Sequence, residues 1–193
     1  MTNAEKEAVL SKIPEKENFI STTSRQFKRD ILDFFDKPEF KDKIAMEMGC
    51  DACHSTVILA SLFKQVYALD KEPNPGAEEF LKQCGATNAQ RILCDLYDEE
   101  PLPVPSADVI FVDAWHTYEG VHTDVLNALN LPSVGKKYFI FDDVGIYPPI
   151  KKCVDDFFTN GKLALVKNIG RSPHTPHLWF DLQEYEGIIA IEV

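Results

Sequence analysis

The chain has 193 residues, with 20 basic and 31 acidic side chains and a formal net charge of −11. That length fits one domain with a full hydrophobic core. The charge disfavours non-specific binding to nucleic acid or an anionic membrane, because phosphate neutralisation needs clustered Lys and Arg. No segment approaches the ~20 apolar residues of a membrane span, and the first residues, "MTNAEKEAVLSK", hold no apolar run of signal-peptide length. A cytoplasmic location is therefore expected. The five cysteines are an odd number in a reducing compartment and do not read as a disulfide framework.

Along the chain, no repeat or low-complexity tract stands out. Residues 1–40 read as an N-terminal helical extension: "QFKRDILDFF" puts Phe27, Ile31, Phe34 and Phe35 at helical spacing. Residues 41–193 read as the core of a single domain. "IAMEMG" is short, apolar and closed by glycine, as a buried strand would be. "STVILASLF" is a helix, Ser55 to Phe63, and "QVYALD" a strand ending on Asp70. "GAEEFLKQCG" is a helix with Gly85 suited to its end. "QRILCD" is a strand ending on Asp95, and "SADVIFVDA" an apolar run ending on Asp113. "YEGVHTDVLNALNLP" is an amphipathic helix, "KKYFIFDD" a strand ending on Asp142 and Asp143, and "IKKCVDDFFTNG" a helix stopped by Gly161. "LALVKNIG" and "GIIAIEV" are two closing strands with no helix between them.

Alternating strands and helices predict a doubly wound, mostly parallel α/β sheet, with an antiparallel hairpin strand at the C-terminus. In such sheets ligands sit beyond the carboxyl ends of the strands. Four successive runs end there on acids: Asp70, Asp95, Asp113 and the pair Asp142–Asp143.

"MEMGCDACHST", Met46 to Thr56, admits several readings. It contains C-x-x-C-H, the covalent haem pattern, but haem attachment goes with export and a lone match is weak. A structural zinc needs a second ligand pair, and Cys84, Cys94 and Cys153 are scattered singly. A dithiol at a helix start is chemically sound, yet the thioredoxin fold does not open with this strand series. The remaining reading is a strand–turn–helix nucleotide loop with an acid, Asp70, at the end of the next strand.

Here the residues reach a resemblance. The stretch is similar to motif I of class I S-adenosylmethionine-dependent methyltransferases, E-x-G-C-G-x-G-x-S-T. Glu47, Gly49, Cys50, Ser55 and Thr56 match, while Asp51 and Cys53 stand where that family carries glycine. Asp51 would repel the cofactor's carboxylate or pair with its ammonium. The resemblance implies a Rossmann-like methyltransferase sheet. It also implies S-adenosylmethionine held by Asp70 at the ribose hydroxyls, by Asp95 near the adenine amino group, and by Gly49 and Cys50 under the methionine part.

A second segment narrows it. "DAWHTYEGV" carries D-x-x-H-x-Y-x-x-V as Asp113, His116, Tyr118 and Val121. Asp113 and Asp142 lie 29 positions apart, separated by one helix and one strand, so both emerge on one sheet edge. This resembles the short metal-dependent O-methyltransferases, closest to those acting on macrolide sugars, over about Ile44 to Phe158. It implies Asp113, Asp142 and Asp143 as ligands of Mg2+, with Mn2+ or Ca2+ as alternatives. It also implies His116, beside Asp113, as the general base. An imidazole titrating near neutrality suits that task without the analogy; the competing role for His116 is a cap of the following helix.

The expected activity is methyl transfer to a hydroxyl of a small-molecule acceptor. The alternatives are a non-catalytic member of the fold serving as a binding or scaffold subunit, and hydroxylase-like chemistry on the same acids. His122 reads as a surface residue. His174 and His177, in a polar loop, are candidates to line the acceptor pocket, Trp115, Trp179 and Phe180 are candidate pocket walls or core aromatics, and "YDEEP" reads as a solvated turn. The sequence carries no signal of oligomeric state.

Overall fold

A computed structural model describes residues 1–14, 23–98, 101–170 and 184–193. Seven strands form one sheet: β1 (Ile44–Met48), β2 (Gln65–Asp70), β3 (Ala89–Leu93), β4 (Val109–Val112), β5 (Tyr138–Phe141), β6 (Leu163–Ile169) and β7 (Gly187–Glu192). Among the described residues six α-helices accompany them: α1 (Asn3–Leu10), α2 (Arg25–Phe35), α3 (His54–Leu62), α4 (Pro75–Gln83), α5 (Tyr118–Asn130) and α6 (Pro148–Thr159).

The strand order is β3-β2-β1-β4-β5-β7-β6. The first five strands are mutually parallel. β7 runs antiparallel to both β5 and β6, as two closing strands without a crossover helix require. It lies inside the sheet, and β6 forms the edge. This is the doubly wound, Rossmann-like sheet expected from the sequence.

The two-residue period of the strands splits their side chains between two cores. Met46, Met48, Ile110, Val112, Phe139 and Phe141 face α5 and α6, meeting Val121, Val125, Ile150, Val154 and Phe157. Ala45, Val109, Phe111, Ile140 and Ile189 face Leu10, Phe27, Ile31, Phe35, Ile58 and Leu59 of α1, α2 and α3. Both faces are covered, so the central strands read as continuous apolar runs. Each large side chain buried this way contributes ~1.5–3 kcal/mol.

Within the N-terminal helical extension the sequence reading marked out only the helix around Phe27–Phe35; the structure has a separate helix, α1, before it. Its signal is a capping box: Thr2 accepts from Glu5 N while the Glu5 side chain accepts from Thr2 N. Leu10 then packs into the second core. β3 ends at Leu93, two residues before Asp95, so Asp95 belongs to the following turn. Among the described residues no helix is long and apolar enough to cross a membrane. His174, His177, Trp179 and Phe180, and Glu99 and Glu100 of the expected solvated turn, lie outside the described residues.

Candidate active site

The site is built along the carboxyl edge of the parallel strands, beginning with the turn from β1 to α3. Gly49 has φ +82°, and a Cβ there would lie 2.4 Å from the Asp113 carbonyl oxygen and 2.6 Å from Ala114 Cα. Only glycine lets this turn press against the turn after β4. Asp51 and Cys53 also have positive φ, +36° and +62°. The left-handed backbone of a glycine loop is thus kept with side chains in place.

Asp51 is supported in this conformation by a bond to the start of α4. Its carboxylate accepts from Asn74 Nδ2 at 3.0 Å, and Asn74 in turn caps α4 by accepting from Gly76 N. Asp and Asn tolerate the left-handed region better than other side chains. The carboxylate is therefore tied to the start of α4. Cys53 has no such device: it is the N-cap of α3, without a side-chain capping bond, and is fully buried.

The Cys50 and Cys53 thiols are free and buried. The hydrogen bond between them raises Cys50 and lowers Cys53 from the usual thiol range. Neither belongs to a cluster of three metal-capable side chains among the described residues. Glu47 is buried and accepts from the Thr56 hydroxyl; burial pushes its carboxyl well up, with Thr56 opposing. Ser55 Oγ lies 3.4 Å from Thr23 Oγ1.

Asp70, at the end of β2, accepts from Asp51 N at 2.7 Å and from Glu72 N at 2.9 Å. The same carboxylate thus organises both loops around it. Asp95 accepts from Tyr97 N at 3.0 Å. The Tyr97 ring packs on Trp115 at 4.9 Å between centroids, and the Lys71 ammonium stands 5.0 Å from the Trp115 ring. Trp115 is half exposed.

His116 follows directly. Its Nε2 lies 3.1 Å from Asp143 Oδ2 and 3.7 Å from Asp113 Oδ1. Its ring stacks on Tyr147 at 4.9 Å. His116 does not cap α5; Thr117 does, accepting from Gly120 N at 3.1 Å. Asp113, then Asp143, push the imidazole up from its ordinary value, against burial. Burial raises Asp143 to about 7, with His116 opposing. Neither Asp142 nor Asp143 caps α6, whose N-cap is Tyr147.

Asp113, His116 and Asp143 each offer a donor atom within 4.8 Å of the others. This differs from the expected trio of Asp113, Asp142 and Asp143, because Asp142 falls outside the group. Its amide still belongs to the sheet ladder, donating to Val112 O, and neighbouring residues at a strand end leave on opposite sides. Asp143 has left the strand, with φ +60°. Asp142 Oδ1 is buried without a hydrogen-bond partner, and burial, then Asp113 and Asp143, push its carboxyl well up.

The sequence reading missed Glu186, Lys28, Thr23 and Ser24. Glu186 Oε1 accepts from Ser24 N at 2.7 Å, while Oε2 is buried without a partner. Burial raises this carboxyl to about 7, with the Ser24 bonds and the Lys28 charge opposing. Lys28 is buried in α2 and donates to Thr23 O. The signal for Glu186 was available. A strand running antiparallel to β5 begins where β5 ends, so the residue before "GIIAIEV" reaches the same edge.

No protein-family model matches the sequence, and no curated protein matches it. Solved structures do match. The precorrin-6y C5,15-methyltransferase of Geobacter metallireducens superposes with a TM-score of 0.64 at 14% identity, over 90% of each chain. A SAM-dependent methyltransferase from Aquifex aeolicus gives 0.59 at 16%, over 97% of this chain and 98% of that one. Fibrillarin from Aeropyrum pernix, solved with natively bound S-adenosyl-L-methionine, gives 0.56 at 14%, over 86% and 74%. The chain thus has the fold on which these methyltransferases are built.

Proposed function

We propose that this chain transfers a methyl group from S-adenosylmethionine to a hydroxyl of a small-molecule acceptor, with His116 taking the hydroxyl proton and a divalent cation assisting. The observation that carries the reading is the contact between two halves of one site. Gly49, in the motif I loop, lies against the Asp113–Ala114 backbone, and Asp113 begins the turn that presents His116 to Asp143.

In this reading Asp70 and Asp95 receive ribose and nucleobase, and Gly49 and Cys50 underlie the methionine part. S-adenosylmethionine supplies an electrophilic methyl on a sulfonium; the acceptor oxygen gains it, the C–S bond breaks to a neutral thioether, and the hydroxyl proton leaves. His116 serves as the proton's destination. With Nε2 turned to Asp143 and Asp113, Nδ1 is the nitrogen left to accept, and the carboxylates stabilise the imidazolium that forms. Tyr147 holds the ring plane by stacking.

The donor set fits a cation. Two carboxylates and an imidazole converge, and an unpaired Asp142 oxygen is buried beside them. Asp113 and Asp143 would hold the ion, with Asp142 behind them. A bound Mg2+ or Mn2+ would acidify and orient the acceptor hydroxyl. The net charge of −11 favours a small acceptor over RNA.

The test is calorimetric titration with S-adenosylhomocysteine, followed by turnover of a panel of hydroxylated small molecules with and without Mg2+. No binding at millimolar ligand would sink the catalytic reading and favour a scaffold role for the fold.

A further inference from the structure

Asp124 lies in the middle of α5 and is fully buried. Neither of its carboxylate oxygens has a hydrogen-bond partner. An isolated buried carboxylate is costly, and a carboxyl that stays there needs a complement. The complement that acts on it is the Tyr97 hydroxyl, which is also buried and unpaired. After burial itself, the Asp124 charge is the next cause raising the Tyr97 phenol.

Tyr97 stands at a junction. Its amide donates to Asp95 Oδ1, and its ring packs on Trp115, one residue before His116. One turn along α5 from Asp124, Asn127 Nδ2 donates to Leu96 O at 3.3 Å. Positions 124 and 127 share a helix face. The turn of residues 95–97 is thus held by Asn127 of α5, with Asp124 on the same helix face, and the turn carries Asp95 and the Tyr97–Trp115 pair.

From this arrangement we infer that Asp124 is a positioning residue, which by receiving the Tyr97 hydroxyl holds Asp95, Tyr97 and Trp115 as the cradle of the cofactor's nucleobase. The inference rests on the methyltransfer reading above. It assigns Asp124 no contact with ligand or reacting atoms. The two groups are close enough that Tyr97 opposes the upward push of burial on the Asp124 carboxyl.

The experiment compares wild type with Asp124→Ala, Asp124→Asn and Tyr97→Phe, using S-adenosylhomocysteine as probe. Calorimetry gives Kd, amide hydrogen exchange reports on residues 94–98, and circular dichroism checks the fold. Asp124→Ala and Tyr97→Phe should raise Kd about tenfold, as loss of a single buried hydrogen bond does, and should speed exchange in 94–98. Asp124→Asn keeps an acceptor oxygen and should restore most of the affinity. A purely structural role would weaken stability in all three variants without the Asn rescue of Kd, and would overturn the inference. So would wild-type Kd in a folded Asp124→Ala or in Tyr97→Phe. If wild type itself binds no S-adenosylhomocysteine, the methyltransfer reading falls and takes this inference with it. Binding by wild type with an unchanged Asp124→Ala sinks this inference alone.

Discussion

His116 Nε2 stands 3.1 Å from Asp143 Oδ2, and Asp143 reaches that position only through a left-handed backbone, φ +60°. Asp143 is not glycine, and its carbonyl opens the following turn by accepting from Ile146 N and Tyr147 N. Strain of ~1–3 kcal/mol at such a residue persists where surrounding structure enforces it, and it concentrates at working sites. The pair is the point from which the site can be taken apart.

Replacing His116 by Ala should leave S-adenosylhomocysteine binding unchanged and reduce turnover by ~10²–10⁴, the usual span of a general base. The pH profile adds a sign. Asp113 and Asp143 raise the imidazole, and the base must be neutral, so activity should fall as pH drops through that raised value. Asp143→Asn removes one stabilising charge and should move this acid limb to lower pH. A limb unmoved by the substitution would show that another group takes the proton.

Magnesium or manganese should stabilise the wild type against heat, and Asp113→Asn or Asp143→Asn should remove most of the effect. Asp142→Asn should weaken it less, since Asp142 lies outside the converging group. If His116→Ala abolishes the response as completely as Asp143→Asn, the imidazole is a ligand and the base must be sought elsewhere. No response to magnesium, manganese or calcium ends the metal assignment.

Asp70 is expected to matter twice. Asp70→Ala should weaken S-adenosylhomocysteine binding by roughly 1.5–3 kcal/mol, the worth of a hydrogen bond to a charged group. It should also loosen Asp51 and Glu72, whose amides it accepts. Hydrogen exchange at those two amides, read beside the Kd, separates the roles. An unchanged Kd with faster exchange would make Asp70 a loop organiser only.

The two non-glycine residues of the motif I loop should respond differently to Gly. Cys53→Gly relieves a left-handed residue and should cost little or stabilise, by up to ~1 kcal/mol in urea unfolding, after allowing for the lost thiol packing and the lost Cys50 bond. Asp51→Gly also forfeits the Asn74 bond and should come out near neutral. Cofactor affinity should survive both changes. If Asp51→Gly creates binding that the wild type lacks, the loop is a decayed cofactor site.

Asp124 gives a stability test that needs no ligand. Burial raises its carboxyl to about 7 from an unfolded value near 3.8, so the folded state binds the proton more tightly. Its ionisation therefore destabilises the fold at high pH, by about 4 kcal/mol at most, and that cost is relieved as pH falls from about 8 toward 4. Tyr97 and Cys153 are the titratable neighbours; burial raises both first, and the Asp124 charge adds to it, at Cys153 after that of Asp156. Asp124→Asn should be more stable than wild type at pH 8 and close to it at pH 4. A flat stability difference across that range would show that the carboxyl is not shifted.

The strand-end acids were legible because they need only topology. Once strands alternate with helices, the last residue of each parallel strand must face one edge, and Asp70, Asp113, Asp142 and Asp143 follow from chain order alone. The tight turn between β1 and α3 was legible for a similar reason, since Gly49 and the following helix are local features. The left-handed φ of Asp51 and Cys53, and the Asn74 bond that anchors Asp51, depend on the packing of α4 and were not.

Other parts required the assembled sheet. Which three donors converge was decided by Asp142 remaining in the ladder while Asp143 turned out of it. Glu186 and Ser24 lie 162 positions apart and meet only because β7 inserts antiparallel beside β5 while α2 lies across the adjoining face. Asp124 reads in sequence as an ordinary polar residue of an amphipathic helix. Its burial comes from the turn after β3 folding down onto α5. Local sequence determined the periodicity, the turns and the strand ends. Long-range packing, through burial and loss of solvent, decided which of those side chains share a site and in what state of charge they do so.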